Sequence, residues 1–184
     1  MALFAVNTGY RDQEVCNLQG HWEVQFNGNS VFIIPGEFMK NRKNRLVVLN
    51  KEAHCVIDEV RGIHPEFVFT FQGRPVTRIL NSAWIKARKR AGLAHVRVHD
   101  LKHTFGRRLR AAEVSFEARQ DLLGHKSSRM TTHYSQVELG NLIRAANKIC
   151  GEGKPQLTVL RLERNVAAPA KVPHGNLRDS LKVV

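Results

Sequence analysis

Long apolar runs are missing from this 184-residue chain. None approaches the ~20 residues that a helix needs to cross a bilayer. The apolar start Met1–Val6 is too short for a secretory signal and has no basic flank. Cysteine is scarce: Cys16, Cys55 and Cys150 are odd in number, far apart and without a C-x-x-C pair. That excludes a disulfide framework and a cysteine zinc site, and it fits a reducing compartment. No internal repeat is visible. Acidic residues are in the minority, with Asp+Glu 16 against Lys+Arg 29 and a formal charge of +13. Such an excess points to a polyanionic partner: DNA, RNA or an anionic membrane surface.

What is present suits one folded domain. The length matches a single domain of roughly 100–200 residues, and 42% hydrophobic residues supply a core. Periodicity holds through residue 150. The stretch Gly151–Val184 loses it and is read as a disordered tail. Six basic residues against three acidic ones in that tail leave most of the charge on the folded part, residues 1–150.

Within that part, Met1–Val6 reads as a helix stopped near Thr8-Gly9, and Arg11–Leu18 as a short helix. His21–Phe26 and Ser30–Ile34 flank Asn27-Gly28-Asn29, a strong hairpin signal. Glu37–Leu49 reads as a second hairpin whose turn carries the basic tract Lys40 to Arg45. Helical spacing follows over Lys51–Gly62, Thr77–Ala91, Asp100–Ala112, Phe116–Leu123 and Leu139–Ile149. Trp84, Leu80 and Ala87 are expected in the core, and Asp100 as a helix N-cap. The expected fold is α+β and mainly helical, with a small antiparallel sheet on one edge.

Three segments carry the chemistry: Thr8-Gly9-Tyr10-Arg11 with Glu14, His99-Asp100-Leu101-Lys102-His103-Thr104, and Leu123-Gly124-His125 followed nine residues later by Tyr134. Arg, Lys and His are the donors suited to a phosphate, and Tyr is a possible nucleophile. In this order and spacing the segments resemble the catalytic domain of the tyrosine recombinases, in particular the phage-type integrases. The family pattern is TGxR followed by an acid, HxLRHT, LGH, and then Tyr. Arg11, His99, His125 and Tyr134 fall on its positions, and Lys40 on its β-hairpin lysine. One position departs: Lys102 stands where the family has arginine. A separate DNA-clamping domain usually precedes this one, so a chain with seven residues before Thr8 is expected to be N-terminally truncated.

The resemblance implies DNA strand cleavage and rejoining in the integration or excision of a mobile element, such as a viral genome. Tyr134 would be the nucleophile, forming a 3′-phosphotyrosine. Arg11 and Lys102, helped by His125, would stabilise the transition state, His99 would accept the tyrosine proton, and Lys40 would protonate the leaving oxygen. Neither a metal nor another cofactor is implied. The implied partner is double-stranded DNA, bound by a homo-tetramer with no role for a membrane, in the cytoplasm at the nucleoid of a prokaryotic or phage-infected cell. Such assemblies often pass a C-terminal segment to a neighbour, and Leu139–Ile149 with the tail is the candidate. Arg42, Lys43, Arg107 and Arg108 are further DNA-contact candidates.

Two other readings stay open. A Lys102-bearing copy could bind DNA without cutting it, because lysine lacks the planar fork of arginine. More distantly, His99-Asp100-Leu101-Lys102-His103 resembles the H-E-x-x-H zinc-hydrolase pattern with Asp for Glu.

Overall fold

The computed structural model of the chain describes residues 1–39, 42–124 and 135–151. Helix α1, Ala2–Thr8, ends as its sequence suggests. Gly9 takes the left-handed conformation at φ 69° and its N–H closes on the carbonyl of Ala5. A Cβ there would come within 2.6 Å of the Phe105 ring, so the position needs both the backbone freedom of glycine and its lack of a side chain. Helix α2, Asp12–Cys16, follows directly, with Arg11 as its N-cap.

Strand β1, Glu23–Phe26, pairs with β2, Asn29–Ile34, around the expected Asn27-Gly28 turn, where both residues have positive φ. Strand β3, Arg45–Val48, pairs with β2 in the register Ile34 to Arg45, giving a three-stranded antiparallel sheet of order β1-β2-β3. This corrects the expected second hairpin over Glu37–Leu49. Residues Gly36–Phe38 form a 3-10 turn rather than a strand, and the partner of β3 is β2. Gly36 sits so close to the Arg42 carbonyl that a Cβ would lie 2.5 Å from it, which lets the connection fold tightly back.

The sheet divides the core. Phe32, Ile34, Val47 and Leu49 pack with α1, α2, Trp22 and Phe69. Helix α3, Lys51–Val60, adds Ala53, Val56 and Ile57 to the same cluster. Val31 and Val48 point the other way, a consequence of the period-2 alternation of strands. They pack with Phe105 and Leu109 of α5, Val98–Ala111, and with Leu122 of α6, Phe116–Leu123. Leu142, Ile143 and Ala146 of α7, Gln136–Asn147, complete that second cluster. The C-terminal helix expected to serve a neighbouring subunit is therefore packed into its own domain by these apolar residues. A two-stranded ribbon, β4 Thr70–Phe71 with β5 Arg74–Pro75, precedes helix α4, Ser82–Arg90, which touches the first cluster through the half-buried Trp84.

Three further expectations change. Helix α4 is shorter than Thr77–Ala91, because the Asn81 side chain accepts from the Trp84 N–H at 3.0 Å and starts the helix there. The Ile79 N–H upstream is held instead by the Asp12 carboxylate at 2.6 Å. Helix α4 buries no residue fully, with Trp84 half-buried and Ala87 exposed, and Leu80, just before the helix, is 45% exposed. Asp100 is not the N-cap of α5 but its third residue. Its carboxylate reaches back to the Arg97 N–H at 2.9 Å and the Arg97 guanidinium at 3.0 Å, which holds its pKa down to about 2.

A buried polar clamp joins the helices. The Asn50 side chain caps α3 by accepting from the Ala53 N–H and donates to Asn7 Oδ1 at 3.2 Å. Asn7 Oδ1 also accepts from Arg108 Nη1 at 3.1 Å, and Arg108 Nη2 donates to the Ile149 carbonyl at 3.0 Å. One oxygen thus links α1, α3 and α5, and through Arg108 the end of α7. Asn7→Ala removes the acceptor from the buried Asn50 amide and from the half-buried Arg108 guanidinium, and an unmade buried hydrogen bond costs about 1–3 kcal/mol. Urea unfolding is expected to show a lower midpoint with an unchanged slope. A midpoint equal to wild type would remove the clamp from the account of stability.

Candidate active site

The first chemical segment is arranged around Glu14. As the third residue of α2, Glu14 turns its carboxylate back so that Oε2 accepts the Arg11 N–H at 2.9 Å. Its Oε1 accepts from two guanidiniums, Arg11 Nη1 at 3.0 Å and Arg45 Nη1 at 2.7 Å. The Arg11 side chain is 53% exposed, so its guanidinium is held by Glu14 through Nη1 and is open to an incoming anion. Arg45 is buried, with its guanidinium 4.4 Å from the Tyr10 ring centroid. Its Nη2 donates to the Leu123 carbonyl at 3.3 Å.

The second segment enters from α5. Lys102 is buried on the helix face that meets α6, and its Nζ donates to the same Leu123 carbonyl at 2.7 Å. Burial, and then the nearby Arg45 and Arg11, push its ammonium pKa down to about 8, against a smaller opposing pull from Glu14. His99 and His103, one turn apart on α5, are exposed, with ring centroids 4.6 Å apart in an edge-to-face arrangement. Asp100 is engaged with Arg97, and among the described residues no group of three His, Cys, Asp or Glu side chains is placed to hold a metal. The donor set near His99 therefore lacks a third ligand among the described residues.

Gly124 ends α6 in the left-handed conformation at φ 60°. A Cβ there would lie 2.6 Å from Arg45 Cζ, so the guanidinium occupies the space a side chain would take. The structure thus brings Arg11, Glu14, Arg45 and Lys102 together at the last residues before His125. His125, Tyr134 and Lys40 lie outside the described residues.

The further DNA-contact candidates separate. Arg42 and Lys43 are exposed in the connection before β3. Arg107 is exposed and lines a cleft of about 330 Å³ between α5 and α6, with Lys102, His103, Arg110, Phe116 and Arg119. Arg108 instead spends its guanidinium on Asn7 and Ile149, inside the clamp that holds the helices.

Sequence reading missed Arg45, which stood in the basic tract as one more charge of a solvated turn. The available signal was strand alternation: Arg45 is two residues before Val47 and four before Leu49, on the face that enters the core.

The result is a mainly helical α+β domain in which a cationic edge, built from three separate chain segments, meets the end of one helix. Residues 1–139 match the phage integrase family, and the chain belongs to that family. It is 31% identical over 159 residues to the integrase of Salmonella phage P22, covering 79% of this chain and 41% of that protein. It is 27% identical over 145 residues to the tyrosine recombinase XerC of Chlamydia caviae, covering 72% of this chain and 45% of the relative. The fold matches the XerH site-specific recombinase bound to difH substrate with a TM-score of 0.55 and 25% identity, over 76% of this chain and 44% of that one. The chain spans about half the length of the curated relatives it matches. Among the described residues no helix is long and apolar enough to cross a membrane.

The buried ammonium gives the free protein a particular pH response. Lys102 titrates near 8 when folded and at its ordinary 10.5 when unfolded. Between those values the unfolded chain holds more protons, so stability rises with pH across the window. Below about pH 8 the cost of burying the charge is borne in full. Denaturant unfolding at intervals from pH 7 to 10 should show the difference between wild type and Lys102→Met moving in favour of wild type as pH rises. Parallel profiles for the two proteins would show that Lys102 keeps its charge in the folded state throughout.

Proposed function

We propose that this chain is the catalytic domain of a site-specific DNA recombinase that cuts and rejoins strands through Tyr134. The observation that carries the reading is the linkage of three cations directly before His125: the exposed Arg11 and the buried Arg45 share Glu14, and Arg45 and the buried Lys102 share the Leu123 carbonyl. In the proposed reaction the Tyr134 oxygen attacks a scissile phosphate, the bond from phosphorus to the 5′ oxygen breaks, and a 3′-phosphotyrosine forms. The tyrosine proton passes to His99, and Lys40 protonates the departing 5′ oxygen. A second 5′ hydroxyl then attacks the phosphotyrosine and releases Tyr134. One phosphoester replaces another at each step, so the bond energy is retained.

The tyrosine needs help, because a free phenol titrates near 10. The cations supply it by stabilising charge on the non-bridging oxygens, commonly the largest catalytic contribution. Duplex DNA is the proposed partner, with four copies assembling on it in the cytoplasm of a prokaryotic or phage-infected cell. The XerH relative was solved on its difH substrate, which supports a DNA partner here. So does the charge of +13.

The purified chain, incubated with a nicked suicide DNA substrate, should form a covalent protein–DNA complex that Tyr134→Phe abolishes. Binding should weaken steeply with salt, because each neutralised phosphate releases counterions. A wild-type chain that binds DNA with this salt dependence and never forms the adduct would favour the binding-only reading. That reading draws on one observation, the lysine at position 102 whose ammonium is already bound to the Leu123 carbonyl.

Lys102→Arg supplies the fork that lysine lacks. It is expected to raise the single-turnover cleavage rate by about 10-fold or more, on the scale of one transition-state donor. It should also remove the decline of cleavage as pH rises through 8. A Lys102→Arg chain no faster than wild type would show that the ammonium already suffices.

A further inference from the structure

We propose that Arg45 is a positioning residue of this site, a buried cross-brace that fixes Arg11 relative to the Leu123–Gly124 end of α6. The inference rests on the recombinase reading above and adds a residue to it. Arg45 comes from β3, an element that carries none of the three chemical segments, and it reaches two of them. Its Nη1 takes Glu14 Oε1 at 2.7 Å, and that same oxygen holds Arg11 Nη1 at 3.0 Å. Its Nη2 takes the Leu123 carbonyl at 3.3 Å, and that same carbonyl holds Lys102 Nζ at 2.7 Å. Each arm of one planar fork therefore ends on an atom that also anchors a cation of the site.

The guanidinium has little freedom to sit elsewhere. Tyr10 covers it at 4.4 Å and donates its own hydroxyl to the adjacent Leu46 carbonyl at 3.0 Å. Gly124 abuts the guanidinium too and leaves the space of a missing Cβ, with the projected atom 2.6 Å from Arg45 Cζ. A glycine before His125 is therefore set by the brace as well as by its backbone conformation at φ 60°. A lysine here would keep charge beside Glu14, but a single ammonium lacks the two diverging donor arms of a guanidinium. Arg45 is buried, with Tyr10 and Gly124 close to its guanidinium, so it does not meet the DNA. It acts through Arg11, Lys102 and the start of the segment that bears His125.

The test compares the full chain with Arg45→Lys, Arg45→Met and Gly124→Ala, scoring folded fraction, DNA affinity and single-turnover cleavage of the suicide substrate. The brace predicts that Arg45→Lys folds and binds DNA within about threefold of wild type. Its cleavage rate should fall by about 100-fold, the scale of a roughly 1 Å misplacement of catalytic groups. Gly124→Ala, which disturbs the same contact from the other side, should show the same split. If only charge in the core matters, Arg45→Lys will cleave at the wild-type rate, and the proposal is overturned.

Hydrogen exchange gives a second readout that does not depend on cleavage or on Arg45→Met being stable. In Arg45→Lys the amides of Arg11 and of Leu122–Gly124 should exchange faster together, while those of α1 and α3 keep their wild-type protection. Unchanged exchange at both segments would overturn the brace even if the wild-type chain forms no covalent adduct. Absence of the adduct with exchange altered as described would instead count against the recombinase reading and leave the brace standing.

Discussion

A guanidinium taken out of water keeps its charge, so the fold around it must supply acceptors. Arg45 imposes that constraint here, and much of the domain is arranged to meet it. The carboxylate of Glu14 arrives because α2 begins at Arg11 and its third residue turns back. The carbonyl of Leu123 is available because α6 ends there, where the last helical carbonyls lack intrahelical partners. The ring of Tyr10 lies 4.4 Å from the guanidinium, and glycine at 124 leaves room for it. Charge that would be costly alone becomes the point at which a strand, a helix start and a helix end are fixed together.

The same logic operates at Asn7. A polar group in the middle of an apolar cluster must be fully satisfied, and its oxygen is shared by Asn50 and Arg108. The sheet sits between two apolar clusters, so neither face of β2 or β3 offers a broad solvent surface. The polar clamps at Asn7 and Arg45 link helices that the two clusters alone would leave free to shift against each other. The proposed reaction would draw on this rigidity, because cations contributed by three distant stretches of chain would have to hold one geometry around one phosphate.

How much of this was legible beforehand depended on the range of the forces involved. The Asn27-Gly28 turn, the stop at Gly9 and the extent of α6 are local events. A few residues decide them, and they stand where the sequence placed them. Helix α4 was over-extended because Leu80, Trp84 and Ala87 fall at helical spacing, yet the Asn81 cap and the hold of Asp12 on Ile79 set the true start. Arg108 looked like its neighbour Arg107 in one basic helix. A rotation of about 100° along the helix, the consequence of 3.6 residues per turn, turns one to solvent and the other to Asn7 and Ile149.

The sequence by itself determined the class of the chain: a basic, cysteine-poor domain whose spaced boxes put it among the phage integrases. Residue types and spacing carry that information because a phosphate demands particular donors and the boxes keep their order. Only the tertiary structure decided which charges are structural. Arg45 and Arg108 became internal braces, Lys102 a buried ammonium on the Leu123 carbonyl, and α7 a part of its own core. Those roles depend on acceptors far away in sequence, Leu123 for Arg45 and Ile149 for Arg108, which chain folding alone brings within hydrogen-bond distance.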